Sequence, residues 1–461
     1  MNCFKITPIQ SLQTLHLPTP GINSEAAALS EKLLSEIHEK FDVFLSERKT
    51  HNHSMHHILA SLSLGASPEQ IQVIFEQHID TLRAVPQTLT KVTRDNYKDY
   101  LNKAEAYTSF FDFFTCEIDE YGVDETVRRW VWSGDLLTRT IGGLFHPFIH
   151  IGYGLEFKLP GMVAEGLSMA CCTGDSFQPL TSIQPSLNRD LLSPLTTSAA
   201  FNVGSPATNQ PVDKSTINKD SEPQGSPTSL YHFLDKNPLI QTIIEIQKDA
   251  ELDIVKPSML SKRIQTIATN PESMSKIKKY LDKWEIEATP ESIHENYKSL
   301  FECILIVYGA SAFGPKDRDN DDRFMPDFVL MHALTSVYFI YFYLRIIDPS
   351  EAVSLLHEHW SSTVFHYIAT GRPYLNLDKL LEYRKDLQGN DGWDKIIDDS
   401  LVCQEAHVVK SVRSLAFGQL LFGSKESEMF SSLWVKVAHM GIVKDGKWSF
   451  DGLGFTSTWE P

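Results

Sequence analysis

The chain has 461 residues, with 42 lysines and arginines against 59 aspartates and glutamates, for a net charge of −17. That balance excludes the basic surface a nucleic acid needs, and a polybasic anchor for anionic lipid. Hydrophobic residues at 42% and charged residues at 22% are ordinary globular usage, which excludes wholesale disorder and permits a large core with an internal pocket.

Six cysteines (Cys3, Cys116, Cys171, Cys172, Cys303 and Cys403) show no CxxC spacing. They are too sparse for a disulfide framework and read as thiols of a reducing compartment. The opening run MNCFKITPIQSLQTLHLPTPG lacks the basic and apolar blocks of a secretory leader. The most apolar stretch, Val329 to Ile347, contains His332, several tyrosines and Arg345, so it reads as a buried helix rather than a membrane span. The expected location is the cytosol.

In chain order, Ala26 to Phe44 repeats apolar residues at helical spacing. A second apolar helix begins in HNHSMHHILASLSLGA, and Ser67-Pro68-Glu69-Gln70 then reads as a capping box opening a helix to about Leu82. Further helices are predicted over Lys98–Ile118, Asp124–Val131, Thr138–Leu144 and Pro147–Cys172, the last with candidate breaks at Gly152, Gly154 and Pro160. Residues 200–227 are rich in Ser, Thr, Pro, Asn and Gly, have almost nothing to bury, and are predicted to be a disordered insertion. Helices resume at Leu230–Lys248, Ser258–Thr269, Pro271–Trp284, Pro290–Gly309, Phe324–Ile346, Pro349–His366, Asp378–Tyr383, Asp391–Leu421 and Ser424–Ala438. The fold class is all-α. Residues 1–461 read as one large helical domain, because motifs on both sides of the insertion look like parts of one site.

Seventeen histidines are a mild excess, and they cluster. His51, His53, His56 and His57 surround the start of an apolar helix, and one of His56 and His57 is expected to face the core. His146 and His150 are four apart, the spacing by which one helix face brings two imidazoles to one ion. His332 sits in an apolar helix and needs a partner there. His407 and Lys410 share a helix face, and Asp327 is placed to cap the helix that carries His332. His357, His359 and His366 look more like surface residues. Each cluster alone also fits a hydrogen-bonded core histidine. Together they resemble the way helical bundles build metal sites from facing helices. Glu156, Glu165 and Glu405 are possible carboxylate partners, with Glu165 a candidate to orient a ligand imidazole. No GxGxxG, phosphate loop, GxSxG or HExxH motif is present.

The motifs HNHSMHHILASLSLGASPEQIQ, LFHPFIHIGYGLEF, VAEGLSMA, DFVLMHALTS, GRPYL and EAHVVKSVRSLA resemble the questin oxidase-like family from about His51 to Leu415. The resemblance implies an oxidoreductase of fungal secondary metabolism that opens the ring of an anthraquinone-type aromatic polyketide. Some members look like NADPH-dependent Baeyer–Villiger-type oxidases, others like non-haem iron dioxygenases with histidine ligands and a carboxylated lysine. The missing nucleotide fingerprint favours the iron version. The ligand set it implies is His57, His146 or His150, His332 and His407, with a carboxylated Lys410 (Lys379 as second choice) around Fe(II). O2 and a small aromatic polyketide are the expected partners, with Phe145, Tyr153, Tyr338 and Phe339 as candidate pocket walls. An NADPH-linked enzyme and a non-catalytic helical binding protein remain the alternatives.

Overall fold

The computed structural model describes residues 21–46, 50–133, 136–175, 180, 235–315, 323–384, 386–387, 392–423, 428–444 and 446–460. The expected insertion at 200–227 lies outside these residues. Helices build the described chain. No strand occurs among the described residues, only three isolated bridges: Phe41 with Ala84, Phe44 with His51 and Asp327 with Ser449. No described helix is long and apolar enough to cross a membrane.

Capping chemistry sets several helix starts. Ser67 and Gln70 form the expected capping box at the head of Pro68–Ile79. Asp327 accepts from the backbone N–H groups of Val329 and Leu330 at 2.8 and 2.9 Å, fixing the start of Phe328–Val337. Asp348 and Glu351 form a second capping box that opens Pro349–Ala369.

Several predicted helices start late or are divided, Phe324–Ile346 among them, as Phe328–Val337 and Ile340–Tyr343. The helix expected from Lys98 begins at Tyr107, after a 3-10 turn over Tyr97–Tyr100 and a left-handed Asn102. Pro147–Cys172 becomes His146–Phe157 and Pro160–Cys172. The break is not at Gly152 or Gly154 but at Lys158, which adopts a left-handed φ of 55° two residues before Pro160 removes a donor. Asp391–Leu421 becomes Trp393–Leu401 and Ala406–Phe422, so His407 lies in a first turn rather than mid-helix.

The two glycines of His146–Phe157 allow close approach. A Cβ on Gly152 would run into the Phe339 ring, and one on Gly154 would meet Val163 of the next helix. A buried ion pair fastens the same helix elsewhere. Arg413 donates to Glu156 and, at 2.7 Å, to the Tyr338 hydroxyl, which itself donates to Glu156 at 2.7 Å. This ties His146–Phe157 to Ala406–Phe422 and to the end of the helix that carries His332.

His359 and His366 correct an expectation. Both are buried, because the Pro349–Ala369 helix runs through the core from Leu355 onward, while His357 is half-buried. His359 pairs with the Ser336 hydroxyl at 2.8 Å, and His366 Nδ1 donates to the Ser362 carbonyl at 2.8 Å. Burial pushes their pKa values down to about 3 and about 4.

Two measurements check this packing. Gly152→Ala is expected to lower stability by about 1–3 kcal/mol in urea denaturation, as overpacking does. In the unfolded chain both histidines take protons below the ordinary value of 6.5, while in the fold they do not until about 4 or lower. The unfolded state therefore binds more protons in that window, and stability falls as pH falls from about 6.5 towards 4. Melting curves of the His359→Gln/His366→Gln protein should show a shallower fall than wild type.

Candidate metal centre

Four imidazoles meet in one place: His53, His146, His332 and His407, with one ring nitrogen of each within 4.8 Å of all the others. They come from four helices and mostly from helix starts. His53 is the residue before Ser54–Ser63, His146 opens its helix, His407 sits in the first turn of its own, and His332 lies one turn into Phe328–Val337.

The local chain explains each orientation. Gly143, Leu144 and Phe145 are all left-handed, with φ of 57°, 54° and 63°, and this tight turn brings the Gly143 carbonyl to His146 Nδ1 at 2.6 Å. His332 Nδ1 meets the Phe328 carbonyl one turn back at 2.8 Å. The helix break before Ala406 makes Glu405 a cap. One carboxylate oxygen accepts from the His407 backbone N–H at 2.9 Å and the other from the ring Nδ1 at 2.6 Å. Trp448 Nε1 holds the same carboxylate at 2.9 Å.

The tautomers follow. A carbonyl oxygen only accepts, so Nδ1 carries the proton in His146 and His332, and the Glu405 carboxylate imposes the same on His407. Each Nε2 is then a bare lone pair. Those of His332 and His407 are buried with no hydrogen-bond partner. His146 Nε2 faces His53 Nε2 at 2.8 Å, and with metal–nitrogen bonds of about 2.1 Å two ligands of one ion sit about that far apart. Burial, reinforced by Lys410 and by the neighbouring rings, holds all four imidazoles well below their usual pKa, in the neutral form that ligates.

Lys410 lies one turn beyond His407. Its Nζ is buried and has no hydrogen-bond partner, and burial lowers its pKa to about 7, with Glu405 opposing the shift. An unpaired ammonium there is costly, so the neutral amine is accessible near neutral pH. Lone pairs converging on one point, fixed second nitrogens and an available amine fit a metal cation.

Above the centre, the Phe328 ring lies 4.6 Å from His332 and 5.2 Å from His407. It stacks in turn on Phe450, which is 59% exposed, so two aromatic rings separate the imidazoles from solvent on this side.

The expected site residues divide between this centre and its surroundings. His146, His332, His407 and Lys410 are together. His57 and His150 are placed elsewhere: His57 Nδ1 pairs with His78 at 3.1 Å, and both nitrogens of His150 are taken, by His56 at 3.0 Å and Glu165 at 2.8 Å. His53 stands where His57 was expected. The four-residue step from His53 to His57 follows the helix axis, so only the residue at the helix start reaches His146. The signal for His53 was its position at the start of the helix, one residue ahead of it, where His146 is the first residue of its own. Glu156 is held by Arg413, Glu165 orients His150, and Lys379 is partly exposed on Leu377–Glu382.

Tyr153, Tyr338 and Phe339 line a cavity that Lys410 and Arg413 also face. It offers about 10 Å³, room for one water-sized molecule and not for a polycycle. Phe145 packs instead against His359 and His366, at 4.7 and 5.7 Å between ring centres.

Comparison with known proteins agrees with the motifs. The chain is 24% identical over 443 residues to a Baeyer–Villiger oxidase of Pestalotiopsis microspora, covering 91% of this chain and 89% of that protein. A Baeyer–Villiger oxidase of Pestalotiopsis fici is 26% identical over 95% of this chain and 93% of its own length. A questin oxidase of Aspergillus fumigatus is 23% identical over 94% and 93%. The family model described as questin oxidase-like matches residues 50–415, a span holding all four imidazoles and Lys410. The chain belongs to the questin oxidase-like family and is an oxidative enzyme.

Proposed function

We propose that the chain is a non-haem iron-dependent dioxygenase that opens an anthraquinone-type aromatic polyketide ring by breaking a C–C bond, with O2 as co-substrate. The observation that carries this reading is the convergence of buried, bare imidazole nitrogens beside the unpartnered Lys410 amine. The names of the relatives, questin oxidase and Baeyer–Villiger oxidase, support the oxidative reaction class, and the first names questin as what that relative oxidises.

His53, His146, His332 and His407 would hold the iron, and Lys410 would complete the shell as a carbamate. When bound, Fe(II) supplies one-electron chemistry that lets O2 react with a closed-shell aromatic. Every other task falls to the chain. Gly143, Phe328 and Glu405 fix three of the imidazole rings, so the lone pairs need no reorganisation. Lys410 adds CO2 through its neutral amine: an N–C bond forms, one N–H proton is released, and the side chain becomes an anion. That anion answers an electrostatic need. Four neutral imidazoles carry no charge against a dication, and helix N-termini repel one. Phe328, Phe450 and the surrounding apolar helices exclude water. The cavity beside Lys410 has room for one water-sized molecule. A polycycle requires side chains at the centre's margin to move.

A second reading, an NADPH-dependent Baeyer–Villiger-type monooxygenase on the same substrate class, is favoured by the names of two relatives. One experiment separates the two. Protein purified anaerobically is expected to carry about one iron per chain and to consume O2 with substrate in the absence of NADPH, and a chelator abolishes this. Iron-free protein that keeps its activity in chelator and requires NADPH overturns the iron reading.

The lysine is tested separately. Lys410→Ala is expected to lose most of the bound iron, while Lys410→Glu, which supplies an anionic oxygen, retains part of it. Unchanged metal content in Lys410→Ala removes the lysine from the shell.

A further inference from the structure

After the helix Glu428–Val443 the chain passes over the four-imidazole centre between two glycines. Gly446 and Gly452 both take a left-handed φ, of 68° and 86°. Both are closely packed: a side chain at Gly446 would run into Glu405, and one at Gly452 into the Arg263 guanidinium. Residues 447–451 between them are not helical. Trp448 and Ser449 face inward, whereas Phe450 is 59% exposed. Beyond Gly452 the chain is fastened again. Leu453, Phe455 and Trp459 are buried, and the Trp459 indole N–H donates to the Leu453 carbonyl at 2.8 Å.

The contacts that hold this stretch down land on groups next to the imidazoles. The Phe328 backbone N–H donates to the Ser449 carbonyl at 2.9 Å, and the Ser449 N–H donates to the Pro326 carbonyl at 2.8 Å. Trp448 Nε1 donates to Glu405, the carboxylate that orients His407. The Arg263 guanidinium donates to the carbonyls of Phe450 and Asp451, both at 2.8 Å. The Phe450 ring lies 4.3 Å from the Phe328 ring and closes the outer side. The inner side is polar and incompletely satisfied. The hydroxyls of Ser449 and Tyr308 are buried with no hydrogen-bond partner among the described residues, and the Tyr308 ring lies 6.4 Å from Trp448. A buried hydroxyl without a partner costs stability that water restores once the stretch lifts. Non-helical backbone with few buried apolar groups opens at lower cost than a core helix does.

We propose that residues 447–451 are a strap that lifts about Gly446 and Gly452 and so admits ligands to the four-imidazole centre. On this side the rings of Phe328 and Phe450 stand between His332, His407 and solvent. Lifting the strap takes Phe450 away and frees the Phe328 N–H. It leaves the Phe328 carbonyl on His332 and the Glu405 carboxylate on His407, because neither bond involves the strap. The cover therefore moves while the imidazoles stay aimed. An opening is needed because the cavity that Lys410 faces offers about 10 Å³. What passes through it rests on the metal reading of the preceding subsection; the strap itself rests on its backbone and hydrogen bonds.

Two measurements test it, the first without any ligand. In hydrogen exchange of the metal-free protein, the buried and bonded Ser449 amide is expected to exchange about 100-fold faster than the Met331 amide, which bonds the Asp327 carbonyl in the neighbouring helix. Equal protection of the two overturns the strap. The second follows uptake of Co(II) by the metal-free protein, through the visible absorption that imidazole ligation gives this ion. Phe450→Ala, which truncates an exposed ring and leaves the core intact, is expected to take up Co(II) about 5-fold faster than wild type. Arg263→Lys, which loses the fork on two carbonyls, is expected to do so about 10-fold faster. The final spectrum and stoichiometry stay those of wild type. A wild-type uptake rate in both variants overturns the strap. Fast exchange at Ser449 in a protein that binds no Co(II) overturns the metal reading and leaves the strap supported.

Discussion

The architecture depends on one constraint: an imidazole has two nitrogens, and fixing the first determines what the second can do. Gly143, Phe328 and Glu405 each accept a hydrogen bond from Nδ1 of one histidine, so three Nε2 lone pairs face a common point, and those of His332 and His407 have no hydrogen-bond partner while that of His146 meets His53 Nε2 at 2.8 Å. Neutral nitrogen lone pairs cannot satisfy one another. A buried cluster of them has no favourable partner except a proton or a cation, and burial disfavours the proton. The helix packing around the cluster holds that arrangement in place.

The means of holding it are local and separate. The His146 ring depends on a run of left-handed residues, His332 on the carbonyl one turn behind it, and His407 on the cap of its own helix. The three helices are then held in register by groups that never touch the centre. Arg413, Glu156 and Tyr338 close a buried triangle, and Gly152 lets the Phe339 ring lie directly on the helix backbone. A position error in any helix would separate the four nitrogens, which explains why such costly buried polar groups sit one layer out.

Electrostatics links the centre to its neighbours. The imidazoles are neutral and lie at helix starts, so a dication there lacks a counter-charge until an anionic side chain is supplied. Lys410 lies beside them with a buried, unpartnered Nζ, and Glu405, already engaged with His407 and Trp448, supplies negative charge one step further away.

The sequence by itself determined the helical class, most helix starts and the set of histidines from which the centre is drawn. These follow from local physics: apolar periodicity, capping residues such as Ser67 and Asp327, and the rarity of histidine in apolar helices. Only the tertiary structure decided which members of each cluster meet. His53 and His57, or His146 and His150, differ by a single helical turn, about 5.4 Å along the axis. That displacement separates a residue in the centre from one in a neighbouring hydrogen-bonded string. It is set by where four helices start relative to one another, through the breaks at Lys158 and ahead of Glu405 and the buried Arg413–Glu156 pair. Those are contacts between residues far apart in the chain, and no local pattern encodes them.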